Sequence, residues 1–121
     1  MEKEDEKKLC RIRDIYRSIS LFEDQFEQKY GICLNEGMLL CSLRENKYSS
    51  SELADLLGLT NSNTSKVIKL VEKKGLVERN IGKDDKRQMY FSLSEVGKQK
   101  LKNMNCQELQ IPEILMPLMA R

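Results

Sequence analysis

Histidine and tryptophan are both missing from the 121 residues, and proline occurs only twice. Without histidine, the usual general base of hydrolases and the commonest nitrogen ligand for zinc are gone. The four cysteines (Cys10, Cys33, Cys41, Cys106) form no Cys-x-x-Cys pair, so neither a metal nor any other cofactor is expected. Apolar runs are short, far from the roughly 20 residues a membrane helix needs. The first residues, MEKEDEKK, are charged and carry no apolar segment of the secretory kind. A cytoplasmic protein with reduced thiols is the expectation, with no membrane partner. There is no Gly-rich phosphate loop and no catalytic constellation, so the chain reads as one without enzymatic activity.

What is present suits a single domain, 1–121, with one modest core: 40% apolar and 33% charged residues. The net charge of +2 conceals an asymmetry. Residues 60–90 hold eight basic groups against four acidic ones, whereas residues 1–59 hold nine against twelve. The basic eight are Lys66, Lys69, Lys73, Lys74, Arg79, Lys83, Lys86 and Arg87. Positive charge collected on one stretch is the electrostatic footprint of a phosphate-binding surface, although lysines also simply solvate helix faces.

Leu9, Ile12, Tyr16, Ile19, Phe22, Phe26 and Tyr30 recur at spacings of three or four, which predicts an amphipathic helix over 7–30, ended by Gly31. At about 1.5 Å per residue it would span roughly 36 Å. That length favours partner packing, with Leu9, Ile12, Tyr16 and Ile19 as dimer-interface candidates. Asn35 is a candidate cap for a helix over 36–45, with Met38, Leu39, Leu43 and Cys41 as its apolar positions.

From Ser49 the pattern becomes that of a winged helix-turn-helix, placed at 34–93. Ser49 and Glu52 make a capping box, Leu53 and Ala54 follow, and Gly58 supplies a left-handed turn residue. Leu59 is expected to plug the core. Thr60 or Asn61 caps the next helix, 61–74, whose inward face is read as Thr64, Val67, Leu70 and Val71. Its other face carries Ser62, Asn63, Ser65, Lys66, Lys69 and Lys73. Asparagine can bond adenine edges bidentately, and serine and lysine can meet base edges or phosphates. Ser62 and Asn63 could equally serve only as caps.

Gly75 ends that helix and a strand begins at Leu76-Val77. The loop 82–87, GKDDKR, is polar and turn-rich, and Met89, Phe91 and Leu93 alternate with polar positions as a half-buried return strand. A basic hairpin tip can enter the minor groove, where arginine is favoured. Asp85 stands two residues before Arg87 and can fix its direction. The fold class is mainly α with a small β-hairpin. Candidate DNA contacts are Asn61, Ser62, Asn63, Ser65, Lys66, Lys69, Lys83, Asp85, Lys86 and Arg87.

Over about residues 7–105 the chain resembles the MarR family of bacterial transcriptional regulators. The resemblance rests on Leu53-Ala54-x-x-Leu57-Gly58-Leu59-Thr60-x-Ser62-x-Thr64-Ser65-x-Val67, then Gly75-Leu76-Val77-x-Arg79, Asp85-x-Arg87 and Leu93-Ser94-x-x-Gly97. It implies a homodimeric repressor on a double-stranded DNA operator built as an inverted repeat. The recognition helix 61–74 would lie in the major groove and the wing 82–88 in the minor groove, with Arg87 as the groove finger and Asp85 its positioner. An effector, small molecule or oxidant, is not nominated by any residue. The rival reading is a winged-helix module that binds protein and not DNA.

Two departures stand out. Members of that family usually close with a further long helix, but residues 94–121 read as one helix and a short apolar tail interrupted by Pro112 and Pro117. Ile114, Leu115 and Leu118 in that tail need burial, on the first helix of either subunit, and join the interface candidates. Cys10 lies where the family's organic-peroxide sensors carry a reactive cysteine, next to Arg11 and Arg13. Asp14 and Asp24 stand where supporting tyrosines would be expected, and a half-buried apolar cysteine is the weightier reading.

Overall fold

A computed structural model describes residues 2–104 and 110–119, with side chains from Lys7 onward. Cys106 and Leu109 lie outside the described residues. The chain divides into two compact units, one of residues 1–33 with 107–121 and one of residues 34–106.

The first unit is built on α1, Glu2–Tyr30. It starts five residues earlier than the apolar period indicated, because glutamate and lysine before residue 7 are strong helix formers that add no apolar mark. Phe22, Phe26 and Tyr30 form a ring column, with centroids 6.0 and 5.0 Å apart. The opposite end is bare: Leu9 is 76% and Tyr16 75% exposed, and Ile12 and Ile19 are exposed beside them. Cys10 is exposed rather than half-buried, and Arg13 is bound to Asp14 at 3.2 Å. After Pro112 the chain makes a 3-10 turn, Glu113–Leu115, that touches α1, and then α6, Met116–Met119. Pro117 fits there because it lies in the first turn, where its missing N–H has no partner to lose. Ile114 and Leu118 stay exposed and Leu115 is half-buried.

The second unit opens with α2, Leu34–Ser42. Asn35 does not cap it but lies within its first turn. Glu36 takes that turn too, buried and bound to Lys74 at 2.8 Å. Leu39, Leu40 and Leu43 are the buried positions, whereas Met38 and Cys41 face outward. Residues Tyr48–Ser49 form a short strand, β1, that the alternation of the sequence is too brief to reveal. It pairs with the return strand of the hairpin and completes a sheet of order β1-β3-β2, where β2 is Val77–Ile81 and β3 is Met89–Leu93.

Ser49 then caps α3, Ser50–Leu57, and the capping box is complete: Glu52 N–H donates to Ser49 Oγ at 3.2 Å and Ser49 N–H to Glu52 Oε1 at 2.9 Å. Gly58 takes φ +68°. The Leu59 N–H reaches back to the Ala54 carbonyl, which turns the chain into α4, Asn61–Lys73. Leu59 itself is only half-buried. The buried stripe of α4 is Thr64, Val67, Ile68 and Val71. Leu70 is 44% exposed, contrary to its expected inward place. At about 100° per residue it falls roughly 120° away from the centre of that stripe, so Ile68 fills the role instead.

The next helix, α5 (Glu95–Met104), is fixed by a tight junction. Ser94 N–H donates to the Leu76 carbonyl at 3.0 Å, and Ser94 Oγ donates to the Gly75 carbonyl at 2.6 Å while accepting from Gly97 N–H at 3.0 Å. A Cβ on Gly97 would lie 1.9 Å from the Leu76 carbonyl oxygen. Only glycine allows that approach. A second tie joins α4 to β2: Arg79 Nη2 donates to Glu72 Oε1 at 2.9 Å, and Arg79 Nε donates to the other carboxylate oxygen. The hydrogen bonds from Arg79 hold the Glu72 carboxyl below its ordinary value of 4.5, against the upward push of burial.

Three outcomes follow for stability, read from chemical denaturation. Gly97→Ala must move backbone against backbone and should cost about 3 kcal/mol or more. Ser49→Ala should cost about 1 kcal/mol, the usual value of a lost cap. Glu72 is depressed when folded, so its contribution is complete above 4.5 and fades as pH falls through the lower folded value. Glu72→Gln should therefore be less stable than the native chain at neutral pH, and the gap should close at pH below about 4.

Candidate nucleic-acid interface

The helix α4 has two faces of opposite chemistry. With Thr64, Val67, Ile68 and Val71 turned inward, the helical period places Ser62, Ser65, Lys66, Lys69 and Lys73 on the far side. All five are exposed. The cap decides what the first turn can offer. Thr60 Oγ1 accepts from Asn63 N–H at 3.0 Å, and Thr64 Oγ1 bonds the Thr60 carbonyl at 2.8 Å. The side chains of Asn61, Ser62 and Asn63 are thus not consumed in capping, and each is exposed. Thr60, not Asn61, is the cap.

The hairpin tip is shaped by Asp85. Gly82 N–H donates to the Gln88 carbonyl at 2.8 Å and Gln88 N–H to the Asp85 carbonyl at 3.0 Å, which closes the loop. Asp85 Oδ1 accepts from Arg87 N–H at 2.9 Å and from Arg87 Nε at 3.3 Å. One carboxylate oxygen therefore holds both the backbone and the side chain of Arg87, whose side chain is 92% exposed. An exposed pair adds little stability. Its effect is directional. Lys83 and Lys86 stand exposed on the same loop.

The basic stretch separates into two sets once partners are assigned. Lys74 is committed to Glu36 and Arg79 to Glu72, so both serve the fold. Lys66, Lys69, Lys73, Lys83 and Lys86 have no ion pair among the described residues. The positive field at the surface comes from these five and from Arg87. Ser50 stands in the SSSEL run, where the sequence marks only a helix cap. It lines a cleft of about 220 Å³ with Ser65, Lys69, Glu72 and Arg79, between α4 and the sheet. No helix among the described residues is long and apolar enough to cross a membrane.

Residues 33–89 match the MarR family. No curated protein matches the chain in sequence. Among solved structures, the transcriptional regulator BldR from Sulfolobus solfataricus is 28% identical, with a TM-score of 0.76 over 98% of this chain and 82% of that one. AbsC, a MarR family transcriptional regulator from Streptomyces coelicolor, is 24% identical, with a TM-score of 0.68 over 80% of this chain and 70% of its own. MepR of S. aureus, solved as a complex with DNA, is 21% identical, with a TM-score of 0.61 over 76% and 77% of the two chains. Residues 33–89, which carry the capped two-faced helix and the Asp85–Arg87 wing tip, thus form a MarR family domain, and the chain around them is similar in fold to transcriptional regulators of the winged helix-turn-helix kind.

Proposed function

We propose that two copies of this chain bind a double-stranded DNA operator, each placing α4 in a major groove and the wing, residues 82–88, in the adjacent minor groove. The observation that carries this reading is the outer face of α4. Asn61, Ser62, Asn63 and Ser65 are exposed and released from capping, and Lys66 and Lys69 follow one turn later. The amide and hydroxyl groups supply hydrogen bonds suited to base edges, and the lysines supply charge for phosphates. Arg87, aimed by Asp85, becomes the minor-groove contact, flanked by Lys83 and Lys86. The complex of S. aureus MepR with DNA supports DNA as the partner.

Pairing of two copies follows from the bare apolar end of α1. Leu9, Ile12, Tyr16 and Ile19 occupy one helical face, and exposed Ile114 and Leu118 add to the apolar surface of the same unit. Apolar surface of this extent calls for a partner, and a second copy offers the same surface in return. A two-fold dimer reads an inverted repeat, with half-sites about one helical turn apart. Two lobes seated on a duplex close it to other proteins, so the simplest output is repression. No chemical step is asked of the protein.

Selection of bound sequences from random DNA should yield an inverted repeat, and the mass in solution should be twice 14.1 kDa. Tyr16→Glu should shift that mass toward the single chain. On the selected duplex Arg87→Ala should weaken binding by about 1–3 kcal/mol. Lys69→Ala should weaken binding to all sequences and flatten the salt dependence by about one unit per copy. Affinity that ignores salt and both substitutions would favour a protein-binding module instead.

A further inference from the structure

The wing hairpin has two faces, and α4 takes up only one. In the β2–β3 ladder Arg79 stands opposite Phe91 and Asn80 opposite Tyr90, so neighbouring pairs project to opposite sides of the sheet. Arg79, bound to Glu72, belongs to the side facing α4. Asn80 and Tyr90 belong to the other. There an open cleft of about 700 Å³ is lined by Lys47, Asn80, Gly82, Lys83 and Tyr90, with Arg79 and Ile81 also in its wall.

The chemistry of this wall is one-sided. Its lining residues include no carboxylate, and Lys47 and Lys83 are the cations on this side, since the Arg79 side chain is turned to Glu72 on the other. Arg79 is offset by Glu72, but Lys47 and Lys83 have no ion pair among the described residues. The Asn80 amide is fixed by its bond to Ser92 Oγ at 2.8 Å. Lys47 reaches the wing because Tyr48 and Ser49 pair with Phe91 and Tyr90, which carries the α2–β1 link alongside the hairpin. Two like charges held beside one cleft without a counterion repel each other, and a polyanion relieves that repulsion. Lys83 also belongs to the wing loop, so the cleft continues the proposed DNA surface without a break.

We infer that this outer cleft is a second DNA contact: it holds the phosphodiester backbone of the duplex that flanks the stretch read by α4 and the wing tip. Lys47 and Lys83 are its phosphate ligands. Contacts of this kind position the protein and extend its footprint but read no bases. The inference rests on the DNA-binding reading above.

The test uses the duplex selected from random DNA in two lengths, one trimmed to the selected positions and one extended by a helical turn at each end. Fluorescence anisotropy across a salt series measures both. The native protein should bind the extended duplex several-fold more tightly. Lys47→Ala should lose most of that gain, flatten the salt slope on the extended duplex by about one unit per copy, and leave the trimmed duplex nearly unchanged. Lys47→Arg should keep the gain. Equal native affinity for the two lengths overturns the inference, as does a Lys47→Ala protein that retains the full gain. In those cases Lys69→Ala and Arg87→Ala should still weaken both lengths, which keeps the DNA-binding reading intact. If none of the three alanine variants changes either length, that reading fails and the inference falls with it.

Discussion

The carbonyl of Leu76 is the point on which the reading unit turns. It lies just past α4, accepts the Ser94 N–H at the end of β3, and sits where any side chain on Gly97 would collide. The turn after α4, the base of the wing and the start of α5 therefore share one junction. Ser94 Oγ seals it by bridging the Gly75 carbonyl and the Gly97 N–H. A hairpin anchored this way has little freedom to swing against the helix before it. The bidentate Glu72–Arg79 pair adds a second anchor further along β2. Helix and wing thus present their polar surfaces in a fixed relation, as the proposed contact with two adjacent grooves would require.

The same economy divides the charges. Lys74 and Arg79 lie among the basic residues that first suggest phosphate binding, yet each is drawn inward to a glutamate. Removing either would disturb the fold before it disturbed any ligand. The remaining lysines on α4 and the loop have no carboxylate partner among the described residues, and Arg87 is steered by Asp85 rather than neutralised in a buried pair. Charge left without a partner at the surface is available to a polyanion, and charge in the body of the unit is not. Lys47 extends the free set to the outer side of the wing.

Much of this was legible in the chain. The capping box of Ser49 and Glu52, the left-handed Gly58 and the wing carboxylate at Asp85 depend on residues at most a few positions apart, and each stands as read. A helical face is ambiguous in sequence where its neighbours decide which side is buried. Leu70 and Ile68 are both aliphatic, and the choice of Ile68 for the core depends on what packs against α4. Asn35 looked like a cap but lies inside α2, where Glu36 is committed to Lys74, thirty-eight positions away. The strand at Tyr48–Ser49 is too short for alternation to show, and it exists only because β3 is there to pair with it.

What the sequence determined by itself is the set of local devices: helix periods, caps, turns, the collection of positive charge and the polar order of the wing. These follow from interactions within a turn or two of chain, whose geometry the residue types dictate. The tertiary structure decided which lysines and arginines are structural and which are free, since ion pairs join residues that only folding brings together. It also decided that Ser50 lines the cleft between α4 and the sheet and that Lys47 lines the one on the outer side of the wing. Both lie outside the helix and loop that carry the motif, and their place comes from strand pairing across the sheet, which no local pattern encodes.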